Sequence, residues 1–216
     1  MSSSATQPPG LADAVSDARA GLGDTAALLY QRGWAFGTSG NYSVVVQANP
    51  RRLLVTASGR DKRALTSSDF VLIDADGRVI EPAAAKPSAE TMLHVVLAAR
   101  PGIGSVLHTH SVWNTLLSDR HFTRGCLTIA GYEMLKGLAG ITTHETSIDI
   151  PIFDNTQDID ALALAVRARL GDGPSTPPHA FLIRGHGLYT WGRDLAEARR
   201  HVEILEFLFE VVGRRD

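Results

Sequence analysis

The 216-residue sequence holds a single cysteine, Cys126. An intrachain disulfide is therefore excluded, and a reducing compartment fits. No apolar run approaches the ~18 residues that a membrane-spanning helix needs. Residues 1–10, Met1 to Gly10, lack the charged and apolar regions of a signal peptide and read as a short disordered tail. A cytoplasmic location is the expectation. Charge of one sign is missing too: a net charge of −2 gives no basic field for nucleic acid or for an acidic membrane surface. There is no internal repeat and no linker of domain-boundary length. The remaining 11–216 suit one domain with a sizeable core.

What is present is a series of short apolar runs separated by small polar loops. Leu11, Val15, Ala18, Leu22, Ala26 and Leu29 have helical spacing, which Gly21 and Gly23 are expected to break into two helices. Strands are expected at 44–46, 53–56, 148–152, 180–183 and 188–191. Phe70 to Ile73 and Val79-Ile80 flank Asp74-Ala75-Asp76-Gly77 and read as a hairpin. Helices are expected at 89–100 with Ser88 as N-cap, at 111–118, at 157–170 and from Asp194 onward. Glu133 to Leu138 reads as a helical turn, and Gly171 to Pro174 as a stop. This mixture suggests an α/β fold, an α/β/α sandwich around a largely antiparallel central sheet.

One stretch organises the rest. Val106-Leu107-His108-Thr109-His110 reads as a buried strand, and side chains two apart on a strand face the same way. His108 and His110 would share one space and suit a divalent cation such as Zn²⁺. A catalytic zinc takes a third protein ligand. His186 in Leu182-Ile183-Arg184-Gly185-His186-Gly187 is the candidate, since its glycine neighbours let the backbone come close. A His-x-His pair can also merely cap a strand at the surface.

Three loops, Thr38 to Ser43, Ser58-Gly59 and Pro87-Ser88-Ala89, offer backbone N–H groups and hydroxyls of the kind that cradle phosphate. Lys62, Lys86 and Lys136 are sources of countercharge. Two carboxylates stand out. Glu90 opens a helix four residues before His94, so the two could pair along one face. Glu133 lies among apolar neighbours, where burial would raise its pKa and suit it to acid–base work. His121, His144, His179 and His201 have no partner at ligand spacing. Cys126 reads as a small core residue.

Thr38-Ser39-Gly40-Asn41-Tyr42-Ser43, Lys86-Pro87-Ser88-Ala89-Glu90 and His108-Thr109-His110-Ser111 together resemble the class II aldolase/adducin family, over about residues 18–212. The blocks Tyr132 to Gly137 and Ile183 to Gly187, with Trp191-Gly192, point to the branch that dehydrates a phosphorylated ketose. The resemblance implies zinc held by His108, His110 and His186, and a phosphate site lined by Asn41, Ser58, Gly59, Ser88 and Ala89. Glu133 matches the acid/base residue of the dehydratases, and Glu90 that of the aldolases. The implied partner is a small phosphorylated ketose, with neither nucleic acid nor membrane. The implied assembly is a homotetramer with its sites near subunit interfaces. An apolar tail on the substrate would need an apolar pocket, to which Tyr132, Met134 and Trp113 could contribute, though such residues are more often plain core. Aldol cleavage, 4-epimerisation and a non-catalytic adducin-like interaction module are the alternatives.

Overall fold

The computed structural model describes residues 10–80, 85–171 and 178–215. The expected tail, save Gly10, and most of the stop after Gly171 lie outside these residues. The apolar runs pair into an eight-stranded sheet. Its strands are β1 (Asn41–Ala48), β2 (Arg51–Thr56), β3 (Phe70–Asp74), β4 (Ser105–Thr109), β5 (Cys126–Ala130), β6 (Ser147–Phe153), β7 (Ala180–Ile183) and β8 (Gly187–Gly192). They run in the order β3-β2-β1-β4-β8-β7-β6-β5. Only β6 and β7 pair in parallel; the other neighbours are antiparallel. The largely antiparallel sheet expected from the hairpin-like runs is what forms.

Alternation along the strands sends side chains to two helical layers. On one face Tyr42, Leu54 and Leu107 pack under α1 (Leu11–Gln31) and the first half of α5 (Leu195–Arg215). Farther along that face, Leu182 and Leu188 meet the second half of α5 and Leu117 of α3 (Val112–Arg120). On the opposite face Val106, Phe181, Ile183 and Tyr189 pack against α2 (Thr91–Ala98) and α4 (Ile159–Leu170). The α/β/α sandwich follows from this two-sided burial. It also assigns sides on β4: His108 shares the face of Val106, and Thr109 that of Leu107.

Several local expectations are corrected. α1 is one continuous helix through Gly21 and Gly23. A helical glycine costs about 1 kcal/mol against alanine, which the burial of Ala18, Leu22, Ala26 and Leu29 outweighs at ~25 cal/mol per Å². A Cβ on Gly21 would lie 3.0 Å from Leu195, so this residue lets α1 and α5 approach. The Asp74–Gly77 turn forms, but its second arm is one bridge, Ile73 to Val79, rather than a strand. Helix α2 starts at Thr91, two residues later than expected, with Glu90 at its N-cap position. Strand β5, which begins at Cys126, has no counterpart among the sequence expectations. Its apolar side is only Leu127 and Ile129, too short a run to announce itself.

Candidate active site

Strand β4 lies fourth in the eight-strand order, between β1 and β8. Register places Asn41 of β1 opposite His108, and Tyr189 of β8 opposite it on the other side. Cross-strand neighbours on one face touch, and the Tyr189 ring stacks on that of His108, 4.0 Å between centroids and 13° apart. His110 follows at the end of β4, its backbone N–H donating to the carbonyl of Trp34 at 2.8 Å. His186 sits in the turn between β7 and β8, after Gly185 at φ 57°. Ring nitrogens of His108, His110 and His186 lie within 4.8 Å of one another. A Cβ on Gly187 would fall 2.4 Å from the Thr109 carbonyl and 2.8 Å from His108. Only glycine lets this turn close over the histidines.

The donor set fits a divalent metal. His108 is fully buried and donates from Nδ1 to the Leu188 carbonyl at 2.9 Å. That bond fixes the tautomer and leaves Nε2 as a lone pair facing the other two rings, as ligating histidines are usually held. Burial, with His110 and His186 close by, keeps His108 well below the ordinary histidine range. Burial also brings His110 down to about 4. Both are therefore neutral near pH 7, the form a cation requires.

Glu90 completes the cluster. Its two carboxylate oxygens lie 3.4 Å from His108 Nε2 and 3.4 Å from His186 Nε2. The expected pairing of Glu90 with His94 along the helix is corrected. His94 turns toward the sheet instead, between Ser43 Oγ, which donates to Nδ1 at 2.8 Å, and Asn41 Oδ1, which accepts from Nε2. Asn41 Nδ2 then donates to Glu90 at 2.7 Å and to Ser88 Oγ at 3.2 Å. Burial pushes His94 down to about 3, so it works as a neutral relay that orients Asn41. Glu90 is tied to His94, but through Asn41.

The three small-polar loops meet around this cluster. A cleft of about 400 Å³ is lined by Thr38, Ser39, Gly40, Asn41, Ser58, Gly59, Ser88, Ala89, Glu90, His110 and His186. The backbone joins the loops: the N–H of Ser58 donates to the carbonyl of Lys86 at 2.9 Å. Asn41, Ser58, Gly59, Ser88 and Ala89 thus line one cleft. Thr156, Gln157 and Ile159 at the start of α4 also line the cleft. Sequence reasoning missed them because it read 157–170 simply as a helix, and helix spacing does not say which loop its start will meet; the helix itself begins at Ile159.

Glu133 is not brought to this cleft. It opens a short 3-10 turn, Glu133–Gly137, with its side chain 68% exposed. It pairs with Lys136 at 2.7 Å and His144 at 3.3 Å. The expected rise in its pKa is corrected: the Lys136 hydrogen bond holds the carboxyl below the usual range. Its apolar neighbours pack away from it, Leu135 into the core and Met134 beside Trp113. Of the proposed countercharges, Lys136 is spent on Glu133, Lys86 is exposed and Lys62 is buried. His144 and His201 also have partners the sequence did not suggest, Glu133 for the first and the Trp191 carbonyl at 2.7 Å for the second.

The chain has relatives among known proteins. A sequence model described as "Class II Aldolase and Adducin N-terminal domain" matches residues 20–212. The chain belongs to that family. It is 45% identical over 196 residues to a methylthioribulose-1-phosphate dehydratase of Sorangium cellulosum, covering 90% of this chain and 91% of that one. A Pseudomonas aeruginosa protein of the same name is 49% identical, covering 87% and 89%. Among solved structures an L-fuculose 1-phosphate aldolase superposes with a TM-score of 0.75 at 23% identity, over 93% of this chain and 86% of that one. That last likeness concerns the class II aldolase fold. No helix among the described residues is long and apolar enough to cross a membrane.

Proposed function

We propose that the protein is a methylthioribulose-1-phosphate dehydratase: a hydro-lyase that converts 5-methylthioribulose 1-phosphate into a 2,3-diketone phosphate and water, as in methionine salvage. The observation that carries this reading is the intact His108–His110–His186 cluster with Glu90 against it. It lies in a chain close to half identical to relatives of that name. Zinc is the metal assigned to the three histidines, one ion per chain. When bound, it supplies Lewis acidity to the C2 ketone and C3 hydroxyl and so acidifies the C3 hydrogen.

The residues of the chain do the rest. Asn41, Ser58, Gly59, Ser88 and Ala89 hold the phosphate at the loop side of the cleft. Glu90, held by Asn41, takes the C3 proton in this reading. Departure of the C4 hydroxyl needs a proton donor, and Glu133 is assigned that part. Its distance from its own cleft is met by a homotetramer in which Glu133 of a second copy reaches the histidines. Elimination then leaves an enol, which ketonises to the diketone.

Mixed oligomers test this arrangement. His108→Ala and Glu133→Gln chains, each inactive alone, are co-refolded in equal amounts. Random mixing should restore roughly a quarter of the wild-type sites if each site draws on two copies of a ring. No recovery would place Glu133 elsewhere. A second reading, aldol cleavage of a sugar phosphate, rests on the carboxylate of Glu90 against the cluster; aldehyde in place of diketone would establish it.

A further inference from the structure

Lys62 is among the largest fully buried side chains of the protein, 1% exposed. Its ammonium donates to two backbone carbonyls, Arg60 at 2.9 Å and Thr38 at 3.3 Å. These carbonyls belong to the two loops whose other residues, Ser39, Gly40, Ser58 and Gly59, line the cleft. A buried cation is expensive unless a counter-anion meets it. Among the described residues no carboxylate lies within ion-pair distance of Lys62. The two nearest in effect are already engaged: Asp61 binds Arg63 at 2.5 Å, and Asp69 binds Arg60 at 3.2 Å and the backbone of Thr66 at 2.8 Å. Burial accordingly lowers the lysine to about 8. The hydroxyl of Ser39, the residue after Thr38 in the cleft wall, is buried without a hydrogen-bond partner among the described residues.

We propose that Lys62 is a positioning residue of the phosphate subsite, clamping the 38–40 and 58–60 loops and serving as the buried counter-cation of the substrate's phosphate. The idea rests on the phosphate reading given above and adds the charge that reading lacked. The Asn, Ser, Gly and Ala side chains of the cradle carry none, Lys86 is exposed, and Lys136 is paired with Glu133. Because the ammonium lies behind the loops, its attraction acts through low-dielectric protein rather than through water, where it would be weak.

Three variants separate charge from clamp, with inorganic phosphate as the probe, titrated by calorimetry into zinc-loaded protein. Lys62→Met removes charge and hydrogen bonds. Lys62→Gln removes the charge but keeps an N–H donor for the two carbonyls. Lys62→Arg keeps the charge. Phosphate affinity is expected to fall ten- to hundredfold in both Met and Gln variants, at unchanged zinc content, and to recover to within about threefold in the Arg variant. KM for the phosphorylated ketose should rise in parallel while kcat moves far less. Full phosphate affinity in Lys62→Gln overturns the counter-cation role. So does a chain that folds with none of the three replacements, which makes Lys62 purely structural. If the wild type itself binds no phosphate, the phosphate reading of the cleft falls with it; wild-type binding that the variants leave intact removes only the role of Lys62.

Discussion

Single residues show how the strand of His108 and His110 is supported from behind. Glu206 of α5 is 2% exposed, and its Oε1 accepts from Asn114 at 3.0 Å and Thr109 at 3.4 Å. Thr109 is the residue between His108 and His110, so the carboxyl braces the reverse side of β4. Burial raises Glu206 to about 7 from an ordinary 4.5. The folded chain therefore holds a proton that the unfolded chain releases between those values. Stability from this group is complete below pH 4.5 and is lost as pH rises toward 7, by about 3 kcal/mol at most. Glu206→Gln keeps both accepted bonds, so its melting temperature should gain on the wild type as pH goes from 5 to 8. A difference independent of pH would contradict the assignment. Glu206, His94 and Lys62 are acid, base and cation buried far from each other in sequence. Nothing local in their surroundings announces burial, which depends on helices and strands meeting over them.

At the scale of elements, the site is made by two strand ends and one turn. His-x-His parity on β4 was legible because a strand permits no other arrangement, and the Gly185-His186-Gly187 turn because glycine marks close approach. Gly187→Ala tests that reading. Its methyl would collide with the Thr109 carbonyl and His108, so the β7–β8 turn must lift away and carry His186 with it. Zinc affinity should fall at least tenfold while the sheet, by circular dichroism, persists; unchanged zinc binding would show the turn to be slack. The elements that eluded the sequence are those set by tertiary partners. α1 runs through two glycines because α5 packs on it, and β5 borrows its identity from β6. The second arm after Gly77 shrinks to a single bridge.

The whole molecule binds these pieces into a cleft whose histidines, Glu90 and small-polar loops all come from one chain, while Glu133 is exposed on the same chain. The sheet order, with β4 at its middle between β1 and β8, explains the convergence: loops after α1, β2 and β7 all open beside the end of β4. That convergence was readable only through the family resemblance, since loop composition alone does not say which loops meet. The account stands most directly on one assay. Zinc-loaded protein is given 5-methylthioribulose 1-phosphate, and diketone formation is followed by ultraviolet absorbance. Diketone should accumulate with the wild type and vanish with His108→Ala, which loses a ligand from the centre of the cluster. Wild-type protein that holds zinc yet forms no diketone, or a His108→Ala variant that still forms it, would contradict the account.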